Sequence, residues 1–221
     1  MHPLDEFKRD MTGHLPGLLV LFDIADAKRR NCHLGHLTVD KDIDEMNELV
    51  RISVGPDGLA RRVGGDEWLA IYKTDSLKPF TTLLGTYYRE QEIRVGWKAT
   101  GEKDGSVKVA ERIVSSKIIR SLRCIYTFAT SVEDAGVSVE KLLDHNYGLP
   151  PNIPIPLSDI ADIKKSGWSC VTDYPVELPF CPFCEGRDFT WIDGDSSVYS
   201  GWGTCRACGA NVDIVGVENS I

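Results

Sequence analysis

The stretch LLVLFDI (18–24) is apolar at every position but one, and the exception, Asp23, falls near its end. Such a run predicts a buried central strand that delivers a polar group at its C-terminal end. From Lys28 to Val50 the pattern turns mixed and charged, and Ile43, Met46, Leu49 and Val50 in DKDIDEMNELVRI recur at helical spacing. GLARRV and EWLAIYK flank a glycine pair and predict a hairpin. SLKPFTTLLGTYYRE predicts a helix interrupted early by Pro79. EIRVGWKAT predicts a strand, GEKDGS a turn, KVAERIVSSKIIRSLR a helix, CIYTFAT a strand and SVEKLLDHN a further short helix. Strands alternating with helices around a hairpin imply an α/β fold, with helices packed on a mixed sheet.

Composition changes after residue 146, where YGLPPNIPIPLSD brings four prolines. This divides the chain into a domain over 1–146, a proline-rich linker over 147–178 and a cysteine module over 179–221. The 221 residues suffice for one ordinary core and a small module. A net charge of −8 argues against nonspecific binding to nucleic acid or anionic membranes, but allows a small phosphorylated ligand held by a few cations and a metal. The N-terminal apolar run is short and leads into charge, unlike a signal peptide. No stretch approaches the roughly 18–20 apolar residues of a membrane span, so a soluble, cytoplasmic protein is expected.

The hairpin carries the first candidate chemistry. In RRVGGDEW (61–68), Asp66 and Glu67 follow two glycines. If the hairpin neighbours the strand ending at Asp23, three carboxylates converge. Unpaired, they would repel one another. A hard divalent cation such as Mg²⁺ removes that cost and is usually shared with substrate phosphates. The glycines let the backbone approach a nucleotide closely. The plainer alternative is a tight turn with solvated charges.

The stretch FDIADAKRRNCHLGHLTVD (22–40) extends the pattern. Asp23, Ile24, Lys28, Asn31, Gly35, His36 and Asp40, with RRVGGDEW downstream, resemble in order and offset the signatures of the GGDEF family of diguanylate cyclases. The resemblance covers about residues 15–130. It implies a palm-like nucleotide-cyclase sheet, and a Mg²⁺-dependent nucleotidyltransferase that condenses two GTP into cyclic di-GMP. Asp23, Ile24 and Asp66 would form the site for two Mg²⁺ ions. Asp66, Glu67 and Lys28 would be catalytic, and Asn31 and Asp40 would read guanine, an amide and a carboxylate suiting its edges. Gly64 and Gly65 would seat the triphosphate. The reaction is in-line attack of a 3′-hydroxyl on an α-phosphate. Because each domain of this family holds one GTP, the active form is expected to be a homodimer.

The pattern also departs from the family. Ala25, Ala27, Cys32 and Val39 replace an Asp, a Phe, an Asp and a Gly, and GPDG (55–58) does not supply the Arg-x-x-Asp site of product inhibition. A late helix with phosphate-binding cations is matched loosely by AERIVSSKIIRSLR, where Lys117 is a candidate and Arg120 or Arg123 must serve as the second cation. His36 at a helix start, His14 and His33 at the surface, Cys32 as a small hydrophobe, and Trp68, Trp97, Trp168 and Trp202 in cores or module edges each have a structural reading that competes with a chemical one.

The module contains Cys181-x₂-Cys184, twenty residues, then Cys205-x₂-Cys208. Four thiolates at this spacing suit one tetrahedral Zn²⁺, and the stretch resembles small phage-type zinc ribbons. From Pro179 onward two arginines face six acids, a balance of −4 that speaks against gripping a phosphate backbone and for a structural cap or protein-docking surface. Besides the cyclase, the sequence admits a degenerate domain that holds GTP or cyclic di-GMP and acts through protein partners. It also admits an interaction protein whose working surface is the ribbon.

Overall fold

The computed structural model describes residues 2–145, 149–165, 180–195 and 200–219. Trp168, Cys170 and the expected linker from 166 onward lie outside the described residues, as do the side chains of Cys32, His33 and Trp97. The chain divides into two compact units, one of Met1–Asn31, Gly35–Glu90 and Ile119–Thr172, the other of Cys32–Leu34, Gln91–Ile118 and Asp173–Ile221.

The first unit is built on β1 (Gly17–Ile24), flanked by β3 (Glu67–Tyr72) and β6 (Leu122–Ala129), both antiparallel to it. β2 (Leu59–Arg62) pairs with β3, and β7 (Pro154–Pro156) pairs parallel with β6, giving the order β2-β3-β1-β6-β7. The four strands other than β7, with helices between β1 and β2 and between β3 and β6, form a βαββαβ arrangement with β1 in the middle. A central strand is covered on both faces, which is why its sequence is continuously apolar. Leu18, Val20, Phe22 and Ile24 pack with Met46 and Val50 of α3 (His36–Val54) and with Phe80, Leu83 and Leu84 of α4 (Lys78–Tyr87). Leu19 and Leu21 face Phe7 of α1 (Pro3–Asp10) and Ala135, Val139 and Leu142 of α5 (Val132–His145). Pro79 lies in the first turn of α4 and starts that helix rather than interrupting it, because its missing N–H is not needed there.

The second unit holds the sheet β5-β4-β10-β9-β8. β4 (Arg89–Lys103) and β5 (Ser106–Arg120) form a long hairpin. Its turn places Asp104 and Gly105 at φ 51° and 75°, as a two-residue turn of twisted strands requires. β8 (Phe189–Asp195), β9 (Ser200–Cys205) and β10 (Asn211–Asn219) come from the cysteine module, and β10 pairs antiparallel with β4 from Asn211↔Glu102 to Asn219↔Arg94. The helix expected over KVAERIVSSKIIRSLR is therefore the strand β5. Its β-branched residues (Val107, Val109, Ile113, Val114, Ile118 and Ile119) favour a pleated surface, and the partner strand across the turn satisfies its backbone. The proline segment is in part structured: β7 sits at a sheet edge, where proline's missing donor costs nothing, and α6 (Ile160–Lys165) follows. No helix among the described residues is long and apolar enough to cross a membrane.

Candidate functional site at the strand ends and the cysteine cluster

The register of the first sheet places Glu67, Asp23 and Arg123 side by side on β3, β1 and β6. Period-two alternation puts this row on the face of Leu21. Asp66 joins it, its carbonyl accepting the Ile24 N–H at 3.0 Å. The backbone thus brings Asp23, Asp66 and Glu67 to one end of the central strands, near enough for the charges of Asp66 and Glu67 to act on Asp23. Asp23 is 5% exposed. Burial pushes its carboxyl up to about 7; hydrogen bonding and charge from Arg123 act against this, and the charges of Asp66 and Glu67 add to it. Arg123 Nη1 donates to Asp23 Oδ2 at 2.6 Å, and Nη2 reaches Asp26 Oδ1 at 3.4 Å. Gly64 lies under Glu67, whose carboxylate occupies the space a β-carbon would need; Gly65 is open. The Arg62 guanidinium closes the turn by donating to the carbonyls of Gly64 and Gly65.

The other residues singled out from the sequence lie on the two helices after β1. Lys28 is exposed in the first turn of α2 (Ala27–Leu34), and Asp40 is exposed on α3. Asn31 is half-buried; its Nδ2 lies 3.4 Å from His36 Nε2, and its Oδ1 is buried without a partner among the described residues. Trp68 is a core residue whose indole N–H donates to Asn47 Oδ1 at 2.7 Å. A cavity of about 480 Å³ between α3 and α4, lined by Leu49, Ile52, Ser53, Lys78, Thr82 and Leu83, includes none of the candidate residues.

Arg120 is placed differently from the sequence expectation. It sits at the end of β5, buried, and donates to Asp42 Oδ1 at 3.1 Å, to Glu45 at 2.6 and 3.0 Å, and to the Tyr87 carbonyl at 2.9 Å. Its guanidinium also lies over the Tyr87 ring. Asp42 is shared with Arg30 of α2, 2% exposed, whose Nη2 lies 2.5 Å from Asp42 Oδ2. The arginine that resembled a phosphate contact is thus engaged inside the domain, and Lys117 lies on a strand of the second unit. The sequence carried one weak signal for this network: an acid at Asp42, two residues beyond the exposed Asp40, on the helix face that turns inward.

The four cysteines are drawn together tightly. Their sulfurs lie within 4.8 Å of one another, with Cys181–Cys208 and Cys184–Cys205 at 3.6 Å. A tetrahedral metal with bonds near 2.3 Å spaces its sulfurs about 3.8 Å apart, so the cluster fits such an ion. Two matching turns build it. In the first, the Glu185 N–H donates to Cys181 O and the Cys181 N–H to Gly186 O; in the second, the Gly209 N–H donates to Cys205 O and the Cys205 N–H to Ala210 O. Glu185 and Gly209 carry the positive φ that each turn needs, 59° and 75°. Backbone N–H groups of Phe183 and Cys184 serve the Cys181 sulfur, that of Gly186 serves Cys184, and that of Ala210 serves Cys208. Among the described residues no set of three carboxylates or histidines is gathered this closely.

Fold and site together define a class: an α/β domain with acidic residues at the ends of its central strands, on a chain that also carries a four-cysteine cluster able to hold a metal ion. Solved structures similar to the chain are GGDEF domains. One is an EAL/GGDEF domain protein from M. capsulatus, 15% identical over 70% of this chain and 94% of that one, with a TM-score of 0.44. Another is a diguanylate cyclase/phosphodiesterase from Caldicellulosiruptor saccharolyticus, 12% identical over 69% and 86%, with a TM-score of 0.47. A third is the GGDEF domain of DgcB from Caulobacter crescentus in complex with c-di-GMP, 16% identical over 70% and 87%, with a TM-score of 0.43. No protein-family model matches the sequence, and no curated protein matches it significantly.

Proposed function

We propose that the first unit is a diverged diguanylate cyclase domain that takes GTP at the end of β1 and β3 and condenses two molecules into cyclic di-GMP, acting as a homodimer. The observation that carries this reading is the convergence of Asp23, Asp66 and Glu67 at one strand end. Asp66 and Glu67 offer the hard oxygen donors that Mg²⁺ takes alongside nucleotide phosphates. Lys28 would balance phosphate charge. Asn31, with a buried oxygen lacking a partner, and Asp40 would read guanine. Gly65, which is open, would lie beneath the phosphates, while the space over Gly64 is taken by the Glu67 carboxylate. Asp23 Oδ2 is already held by Arg123, so the residues as they stand do not fit a second ion bound through that oxygen. In the second unit, the four cysteines would hold a structural Zn²⁺, and the acidic module around them would serve as a cap or protein-docking surface.

The test is incubation of the purified chain with GTP and MgCl₂ or MnCl₂, with a panel of other nucleotides beside it, followed by chromatography. Cyclic di-GMP is the expected product. The engagement of Arg120 with Asp42 and Glu45, and of Arg123 with Asp23, favours a second reading, in which the domain holds GTP or cyclic di-GMP without turnover and signals through a partner. Saturable GTP binding with no product would select that reading. Absence of both binding and product would remove the nucleotide site.

A further inference from the structure

We propose that Arg123 is a resident cation of the acidic strand end, standing in for one divalent ion by keeping metal off Asp23. The inference rests on the reading of Asp23, Asp66 and Glu67 as a cation site. Arg123 is the register neighbour of Asp23 on β6, so its guanidinium reaches that carboxylate along a straight cross-strand path. The contact is a charge-assisted hydrogen bond of 2.6 Å, the short end of its kind. The other arm of the guanidinium reaches Asp26 at the start of α2, so the group is tethered on both sides, and its side chain is only 12% exposed. A divalent ion approaching Asp23 would have to break the bond at Oδ2, or bind Oδ1 beside a positive charge tethered at both ends. Any ion taken up at this strand end is left to the neighbouring acids while Asp23 stays paired, so the site holds at most one mobile cation beside a built-in one.

Manganese uptake tests this, read by the loss of the free Mn²⁺ electron paramagnetic resonance signal, on the zinc-loaded full chain without nucleotide. The wild-type chain is expected to take up at most one ion, with an affinity that Asp23→Asn leaves within about twofold. Arg123→Gln is expected to take up one more ion, or to bind Mn²⁺ at least tenfold more tightly, and adding Asp23→Asn should abolish the gain. Arg123→Lys, which keeps a cation, should match the wild type. An Asp23-dependent ion in the wild-type chain overturns the proposal, as does a folded Arg123→Gln chain that binds manganese as the wild type does. If Arg123→Gln does not fold, the comparison of wild type with Asp23→Asn decides the matter. Because uptake is measured without GTP, failure of nucleotide condensation leaves this result standing, and the two readings fail separately.

Discussion

Asp23 is asked to be an acid in a place that disfavours charge. Its proton is held up to about 7, well above the ordinary 3.8, because burial outweighs the pull of Arg123. An acid with a raised folded pKa favours the fold at low pH. That advantage is complete below about pH 4, is lost as pH climbs toward 7, and is flat beyond. Without added magnesium, the wild-type chain should therefore lose roughly 2–3 kcal/mol relative to Asp23→Asn between pH 5 and pH 8, measured by urea unfolding across that range. No such relative slope would mean that Arg123 keeps Asp23 ionised throughout. Asp66 differs. It is half-buried at the edge of the turn, and its backbone carbonyl, not its side chain, holds Ile24. Asp66→Ala should abolish cyclic di-GMP formation while shifting unfolding by less than about 1 kcal/mol, as a residue outside the packed core does. Global unfolding of that variant would show that the carboxylate is a structural group.

The elements most legible in the sequence were those with one clean period. β1 is apolar throughout because it is central, and the β2–β3 hairpin is announced by the glycine pair Gly64-Gly65 followed by the apolar run WLAIY. The order of the acids followed from these two elements, since Asp23 and Glu67 become neighbours as soon as the strands pair. β5 was not legible as a strand, because Val109, Ile113, Val114 and Ile118 fit a helical stripe as well as a pleat. The stronger cue was its neighbour, Asp104-Gly105, a hairpin turn that demands a strand on both sides. Arg120 became misplaced with it. The chemistry of its surroundings, Asp42 between two arginines, depends on α2, α3 and β5 meeting in space, which no local pattern encodes. Asp42→Ala would leave Arg30 and Arg120 as buried cations without their shared partner, and a cost of about 3–5 kcal/mol is expected in chemical unfolding. Asp42→Asn should lose less, because the amide oxygen can still accept from one of the two arginines.

For the molecule as a whole, the second sheet draws its strands from two distant parts of the chain. If the cysteines hold zinc that sets the fold of their module, chelation should raise amide hydrogen exchange in β8, β9 and β10 and also in β4, which pairs with β10, while the strands of the first unit stay protected. Peptide-resolved mass spectrometry reads this directly. Exchange confined to the residues beyond 179 would show that the β4–β5 hairpin holds by itself. The same pairing sets an order on biosynthesis. A ribosome releases β4 and β5 long before it has made β10, so a fifteen-residue strand must wait, free or on a chaperone, with one backbone edge unanswered. The chain is thus exposed to mistaken partners from the completion of β4 onward, and that interval closes when β10 arrives.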